Sequence, residues 1–556
     1  MKNWRANLIL LVIFGLGVCI VGRLVFLQVL NDGFYKALAQ GQQNVAAFSK
    51  GQRGAIFIQD RKGELYVLAT NQKIPYAFAS PAKIENPEDA ARQVAAALAL
   101  EENEILPKLQ KKESLFEFLK KRISEEEVSR VEALRIPGIH IGQEEVRTYP
   151  QQQLAAHVAG FTNQDGQGQY GIEEYYNDAL EGKEGLSGNS FNPASYILAS
   201  LDRGTQDGSD VVLTLDYNVQ QMAESLLEKH KEQVHFVTGT VIVLDPKTGK
   251  IFALANTPTY NPNDYFNQEN IGVFQNAAVE KIFEPGSVMK SLTMAAALDA
   301  NKVTPQTTYT DSGQLTLNGY TIYNYDFKTY GLQTMSEVLA HSINTGAAFA
   351  ERQLGHKNFL RYLDKFKLFE PTDVDLAGEV YSKNTVVKNG RDINFATAAF
   401  GQGIEMTPMQ LVRAYSALAN NGVMVEPFLA EHRAEKTKEI RVISEKAASD
   451  VTIMLTNSVD KNEVGKISGY YIAGKTGTAQ IPWSVLGINK PGYADNETVQ
   501  SFIGYFPSLD PRFLILVRLD RPQTKAAGAS AIPVFRELAE YLIAYYQIPP
   551  DYELPL

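Results

Sequence analysis

The longest uninterrupted hydrophobic stretch is Leu8 to Leu30, "LILLVIFGLGVCIVGRLVFLQVL", apolar except for Arg23 and Gln28. As a helix these 23 residues would run about 34 Å, enough to cross a hydrocarbon layer of about 30 Å. Arg23 lies near the far end, within snorkelling reach of the interface. Lys2 and Arg5 precede the segment, which predicts a cytoplasmic N-terminus and a body on the outer side of the membrane. "GRLVFLQVL" offers no small-residue cleavage site, and Val18 stands before Cys19 where a lipoprotein signal requires a small residue. The expectation is a cytoplasmic tail (1–7) and an uncleaved single-pass anchor (8–30).

Beyond a polar linker (31–50) the pattern alternates. "GQRGAIFIQDRKGELYVLAT" predicts two strands joined by a turn at Asp60 to Gly63. Residues 86–135 read as helices, with Pro87 opening the first and "ESLFEFLKKRISEEEVSRVEAL" forming others. Residues 183–209, rich in Gly, Ser, Asn and Asp, read as a long loop. From 211 the texture changes: a strand, an Asp216 N-cap and a helix, then two apolar strands in "TGTVIVLDPKTGKIFALANT". Helices are predicted from 287 to about 460. Strands return in "YYIAGKTGTAQI", "SFIGYF" and "FLILVRL", followed by an amphipathic helix around 533–546. Two strands early, three late and helices between imply one sheet closed by distant segments. The reading is a multi-domain α/β chain, with a domain over 51–210 and a second over 211–556.

A chain of 556 residues needs more than one core. Hydrophobic residues at 44% and charged residues at 21% suit a folded protein. The net charge of −10 gives no basic footprint for nucleic acid. Cys19 is the only cysteine, which excludes a disulfide framework and a cysteine zinc site. No His and carboxylate cluster has ligand spacing, so neither metal nor cofactor is expected.

The candidate chemistry starts at "EPGSVMKSLTM", where Pro285 and Gly286 precede Ser287 and an apolar helix carrying one lysine, Lys290. Ser-x-x-Lys also occurs at Ser80–Lys83, across Pro81, and at Ser458–Lys461, in a polar stretch expected to be exposed. Only Ser287 combines a helix start, whose dipole and free amides favour an oxyanion, with apolar surroundings. A buried lysine loses affinity for its proton and can serve Ser287 as a base. Ser-x-Asn occurs four times; Ser187–Asn189, Ser190–Asn192 and Ser382–Asn384 fall in polar loops, whereas Ser342–Asn344 interrupts two apolar helical runs. Lys-Thr-Gly occurs twice. Lys247–Gly249 follows Asp245-Pro246 and reads as a hairpin turn, while Lys475, Thr476 and Gly477 fall mid-strand in "IAGKTGTAQ". Glycine there marks close approach by a ligand or backbone, the lysine and threonines suit a carboxylate, and the Thr478 amide suits an oxyanion. His341 is a poor triad base for Ser342, since adjacent residues point apart, and His157 in "LAAHVAG" reads as a structural hydrogen-bonder.

The ordered set Ser-x-x-Lys, Ser-x-Asn, Lys-Thr-Gly at 287, 342 and 475 matches the signature of penicillin-interacting serine enzymes. The chain closely resembles the class B penicillin-binding proteins over nearly its whole length. Besides "EPGSxxK" it carries "FGQGIEMTPMQLVRAYSALANNG" (400–422), "SFIGYFP" (501–507), "RGAIFIQDRKGELYVLA" from Arg53, "RTYP" from Arg147, "GIEEYYN" from Gly171 and "LTLDYNVQ" from Leu213. The resemblance implies an α+β pedestal or dimerisation domain and a serine β-lactamase-like transpeptidase domain whose five-stranded antiparallel sheet is flanked by helices. It implies a D,D-transpeptidase that cross-links lipid II-derived peptidoglycan stem peptides through a serine acyl-enzyme, releases terminal D-alanine and is acylated by β-lactams. Ser287 would be the nucleophile and Lys290 its base. Ser342 would relay a proton, Asn344 would orient Lys290 and the substrate amide, and Lys475, Thr476, Gly477 and Thr478 would hold the terminal carboxylate. The amides of Ser287 and Thr478 would form the oxyanion hole. Arg53, Arg147 and Glu173 look like the family's structural clasp, against the plainer reading of surface ion pairs.

"EPGS", a compact pedestal and the absence of large insertions look more like the division type (FtsI-like) than the elongation type. The family also implies a SEDS-type membrane glycosyltransferase and divisome proteins as partners, and a catalytic domain outside the cytoplasmic membrane. A β-lactamase or resistance protein shares the signature but not the pedestal and anchor. A non-catalytic scaffold would not need an intact serine, two lysines and Asn344.

Overall fold

The computed structural model describes residues 48–186, 206–436, 438–463 and 465–552, with the isolated position Phe14. The tail, the apolar segment 8–30 and most of the linker lie outside the described residues. Among those described, no helix is long and apolar enough to cross a membrane. The chain divides into two units, Met1–Gly54 with Ala179–Ser209 and Ala55–Asp178 with Asp210–Leu556. In the smaller unit Phe48–Lys50 pairs antiparallel with Glu184–Leu186, so the stretch read as loop from 183 begins with a short strand.

The larger unit opens with β1 (Ile56–Gln59) and β2 (Leu65–Ala79), an antiparallel pair. Their turn forms because the Asp60 carboxylate accepts the amides of Lys62 and Glu64 at 2.8 and 2.9 Å. Asn86 caps α1 (Pro87–Leu98), whose first turn holds the proline that needs no donor there. The run expected to be helical from 113 to 134 is mixed. Glu117–Lys120 is β3, paired with the end of β2, and only Glu125–Leu134 is helix α2, opened by a Ser124–Glu127 capping box. Alternation in "FEFLK" sends Leu119 into the core while Phe116 and Phe118 stay exposed, a period-2 signal hidden inside a charged stretch. β4 (Ile139–Thr148) pairs along the second half of β2, and β5 (Val211–Asp216) adds in parallel beside β1. Strand 211–216, read with the second domain, is therefore hydrogen-bonded into the first domain's sheet.

Asp216 caps α3 (Tyr217–Val234) by accepting the amides of Asn218 and Val219 at 2.9 and 3.1 Å. β6 (Thr238–Leu244) and β7 (Ile251–Thr257) follow, and α4 (Met289–Asp299) begins just after Ser287. β8 (Gln314–Leu317), β9 (Tyr320–Tyr323), α5 (Met335–Ala340), α6 (Asn344–Leu354), α7 (Pro408–Ala419) and α8 (Glu445–Asn462) come next. The chain then runs through β10 (Ala473–Pro482), β11 (Tyr493–Phe506), β12 (Phe513–Asp520) and α9 (Ala531–Tyr546).

The five strands predicted to meet do so, in the order β7–β6–β12–β11–β10, every pair antiparallel. β12 reads as a continuous apolar run because both of its faces are buried. Phe513, Ile515, Val517 and Leu519 pack with α3 and α9 residues such as Leu227, Phe535 and Leu538, while Leu514 and Leu516 face the other way. α4 is buried all round from Met289 to Leu298, as expected for a helix without a polar face. The region 308–334, predicted to be helical, instead carries two antiparallel ribbons, Thr308–Asp311 with Gly331–Thr334 and β8 with β9. The β8–β9 turn is Asn318-Gly319 with φ of 48° and 83°, both in the left-handed region that a two-residue hairpin demands.

Candidate active site

Ser287 sits in the single 3-10 turn Gly286–Val288 that leads into α4. That turn is clamped between two backbones. Gly286, at φ +61°, donates its amide to the Gly401 carbonyl at 3.0 Å, and a Cβ on Gly401 would lie 2.1 Å from the Gly286 oxygen. On the other side a Cβ on Gly477 would stand 2.3 Å from Ser501 Oγ and 3.0 Å from the Pro285 carbonyl. Glycine at 477 therefore lets β10 lie against the serine turn, the close approach expected of it. The Tyr415 hydroxyl, fully buried on α7, donates to the Val288 carbonyl at 2.6 Å and fixes the turn from below.

One turn into α4, Lys290 is 1% exposed. Its Nζ reaches the Ser342 carbonyl at 2.5 Å, Ser342 Oγ at 3.1 Å and Asn344 Oδ1 at 2.7 Å. Ser342 can meet it because it occupies the bend between α5 and α6 with φ +55°. Lys475, also buried, brings its Nζ to 3.0 Å from the same Ser342 Oγ. One hydroxyl oxygen is thus shared by two lysines from distant elements, Lys475 lying 133 residues beyond Ser342. Burial first, and the Lys475 charge second, hold Lys290 well below its ordinary 10.5. Burial alone brings Lys475 down to about 7. Fully charged, Lys290 would spend all three N–H bonds on Ser342 and Asn344. Deprotonated, it keeps two donors and gains a lone pair, the state able to accept a proton.

Ser287, Ser342, Asn344, Thr476 and Thr478 line one cleft of about 1050 Å³. Lys290 and Lys475 reach it from the buried side, and Gly477 stands behind it as the contact to the serine turn. A half-buried serine beside a suppressed lysine, with a second cation within reach of a ligand carboxylate, can carry out acyl transfer.

The sequence comparisons decide the family. Residues 239–540 match the penicillin binding protein transpeptidase domain, and residues 48–213 match the penicillin-binding protein dimerisation domain. The chain belongs to the penicillin-binding proteins. It is 30% identical to stage V sporulation protein D of Bacillus subtilis, covering 95% of this chain and 84% of that protein. It is likewise 30% identical to a probable peptidoglycan D,D-transpeptidase, PbpC, of Pseudomonas aeruginosa, covering 99% and 96%. The crystal structure of penicillin binding protein 2X from Streptococcus thermophilus superposes with a TM-score of 0.72 at 25% identity, covering 90% of this chain and 81% of that one. Relatives and fold together identify this penicillin-binding protein as class B.

Ser187–Asn189 and Ser190–Asn192 lie outside the described residues, and the other occurrences of the short motifs do not line this cleft. Ser80 is buried and donates to the Leu115 carbonyl at 2.8 Å, with Lys83 exposed at the end of the 3-10 turn Pro81–Lys83. Ser458, expected to be exposed, is 7% exposed on the inner face of α8; the polar run conceals one side of an amphipathic helix. Its Lys461 meets His341 Nε2 at 3.3 Å, and His341 stacks on Tyr330 at 5.4 Å, away from any role as a base for Ser287. Asp245 accepts the Lys247 and Gly249 amides through side chain and carbonyl, which makes Lys247–Gly249 a turn. His157 is buried, bonds the Val273 carbonyl at 2.9 Å, and is pulled down to about 4 by burial.

Arg147 and Glu173 are no surface pair: Arg147 Nε meets Glu173 Oε1 at 2.7 Å, with side chains 5% and 0% exposed, and Tyr149 donates to the same oxygen at 3.2 Å. Arg53, half-buried, belongs to the smaller unit. Sequence reasoning missed Glu284, immediately before the serine turn. Burial pushes its carboxyl up to about 7, and the Tyr493 hydroxyl of β11 donates to both of its oxygens at 3.1 and 3.0 Å. A carboxylate abutting Pro-Gly-Ser was the available signal.

Proposed function

We propose that the protein is a peptidoglycan D,D-transpeptidase working through a Ser287 acyl-enzyme. The observation that carries this reading is the convergence of Lys290 and Lys475 on Ser342 Oγ beside the Ser287 turn. Ser287 Oγ attacks the carbonyl carbon of the penultimate D-alanine, and its proton passes to neutral Lys290, directly or through Ser342. The C–N bond breaks, the proton moves by way of Ser342 to the leaving amine, and D-alanine departs. An amino group of a neighbouring stem peptide then attacks the ester and restores Ser287. Asn344 holds Lys290 and the substrate amide, Lys475 with Thr476 and Thr478 holds the donor's carboxylate, and the amides of Ser287 and Thr478 receive the oxyanion. A β-lactam enters the same steps and leaves Ser287 acylated.

Leu8–Leu30 anchors the protein in the cytoplasmic membrane with the catalytic domain outside, and the division role is favoured, with a SEDS-type glycosyltransferase and divisome proteins as partners. The motif context "EPGS" and the compact pedestal support that assignment. The test of the chemistry is covalent labelling by a fluorescent penicillin: wild type labels and Ser287→Ala does not. Equal labelling of the two would overturn the site. A fluorescent fusion confined to the side wall would overturn the division role.

A further inference from the structure

The β8–β9 hairpin was not among the elements expected, and it stands at the rim of the cleft. Its register places half-buried Leu315 opposite buried Ile322 and half-buried Leu317 opposite Tyr320, which is 60% exposed, on one face. Gln314 lies opposite Tyr323 and Thr316 opposite Thr321 on the other face, and all four are exposed. The two threonine hydroxyls bond at 2.9 Å. From Gln314 to Tyr325 the chain carries no charged residue.

Phe327 follows, 77% exposed, with its ring 5.2 Å from that of Tyr323 at 60°. Phe327 holds φ +55°, in the left-handed region. The hairpin's base is rigid. Asp311, 2% exposed, accepts from Asn324 Nδ2, the Tyr330 amide and Thr345 Oγ1 at 2.6–3.0 Å. Asn344 Nδ2 donates to the Tyr323 carbonyl at 2.9 Å, so the rim is tied to the residue that holds Lys290.

The geometry points to this face as a carbohydrate-binding platform that seats the glycan strand from which a stem peptide hangs. This rests on the transpeptidase reading and adds a subsite to it. The chemistry selects the occupant. A sugar presents C–H faces to aromatic rings and hydroxyls to amide and hydroxyl partners, and needs no ions. A stem peptide carries carboxylates and an amine, and Gln314, Thr316, Thr321 and Tyr323 offer it no charge; the next charged positions along the chain, Asp326 and Lys328, flank Phe327. Four extended residues reach at most about 14 Å, so a peptide whose end is at Ser287 keeps its sugar near the cleft rim.

The test compares wild type, Phe327→Ala and Phe327→Trp in the full-length protein. Peptide-free N-acetylglucosamine–N-acetylmuramic acid strands are immobilised, and retention is measured. Phe327→Ala is expected to lose roughly tenfold in affinity, about one aromatic stacking contact, while Phe327→Trp retains it. The KM for glycan-linked stem peptides should rise by a similar factor, with turnover of a sugar-free D-Ala-D-Ala peptide and penicillin labelling unchanged. Unchanged retention, equal losses on sugar-free and glycan-linked peptides, or a parallel fall in penicillin labelling would each overturn the platform. Failure of the wild type to label with penicillin would refute the transpeptidase reading instead, whatever the glycan result.

Discussion

Replacing Lys475 by methionine should make the protein more stable and inactive together, with a defined dependence on pH. In the folded state burial lowers the Lys475 ammonium from 10.5 to about 7. Below pH 7 both folded and unfolded chains carry the proton, so the folded state bears the full cost of a buried charge. Between about 7 and 10.5 the unfolded chain binds more protons than the folded one, so stability rises with pH as that cost fades. The gap, at about 1.4 kcal/mol per pH unit, amounts to about 5 kcal/mol at most. Methionine has similar bulk and no charge, but it forfeits the bond to Ser342 Oγ, worth about 1–3 kcal/mol. Lys475→Met should therefore exceed wild type by about 2–4 kcal/mol at pH 6 and lose that advantage by pH 10. Denaturant titrations of both proteins at the two pH values measure this, alongside fluorescent-penicillin labelling, which should fall sharply. A variant less stable than wild type at pH 6, or a difference identical at pH 6 and pH 10, would refute the account of a charge held at a cost for function.

Two further substitutions separate scaffold from site. Glu173→Ala leaves Arg147 buried without its carboxylate and removes the Tyr149 acceptor, so unfolding stability should drop by about 3–5 kcal/mol. Penicillin labelling at low temperature should persist, and a loss below about 1 kcal/mol would return the pair to the class of surface contacts. Gly477→Ala forces a Cβ against Ser501 Oγ and the Pro285 carbonyl, and should cost about 1–3 kcal/mol along with most of the acylation rate. Adding Ser501→Gly should recover stability but not acylation, because the carbonyl contact remains; full recovery of both would show that β10 need not press on the serine turn.

The elements that sequence could reveal are those whose pattern is local. Both early strands, the three late ones and the Asp216 cap are visible because burial on two faces leaves continuous apolar runs and caps have a chemical signature. Their joining into one sheet was inferable only from the shortage of other partners. Lys290 was legible as a lone charge on an apolar helix, and the ordered motifs named Ser342, Asn344 and Lys475 with it; the bonds among them were not legible, since Ser342 meets Lys290 from a left-handed bend and Lys475 meets Ser342 from a distant strand. The β8–β9 hairpin was legible and overlooked. Asn318-Gly319 between alternating residues is a strong hairpin signal, but it lay between long helical runs. Ser458 and the Phe116–Phe118 alternation went unread for the opposite reason: charged neighbours masked which face was buried.

The Ser342 hydroxyl between two lysines also sorts the two substrates of a cross-linking reaction by the sign of their charge. A donor arrives with a carboxylate, which compensates cations that burial has made unwelcome, so its binding and the charging of Lys475 favour each other. The acceptor arrives as an ammonium and meets the opposite field, most of all after the first product has carried its carboxylate away. On the proposed mechanism it attacks the acylated serine once it has shed a proton, which a neutral Lys290 can accept. Water carries no charge and is not sorted in this way, so exclusion of hydrolysis must come from how the cleft is filled. On the proposed mechanism, the electrostatics choose which amine form reacts.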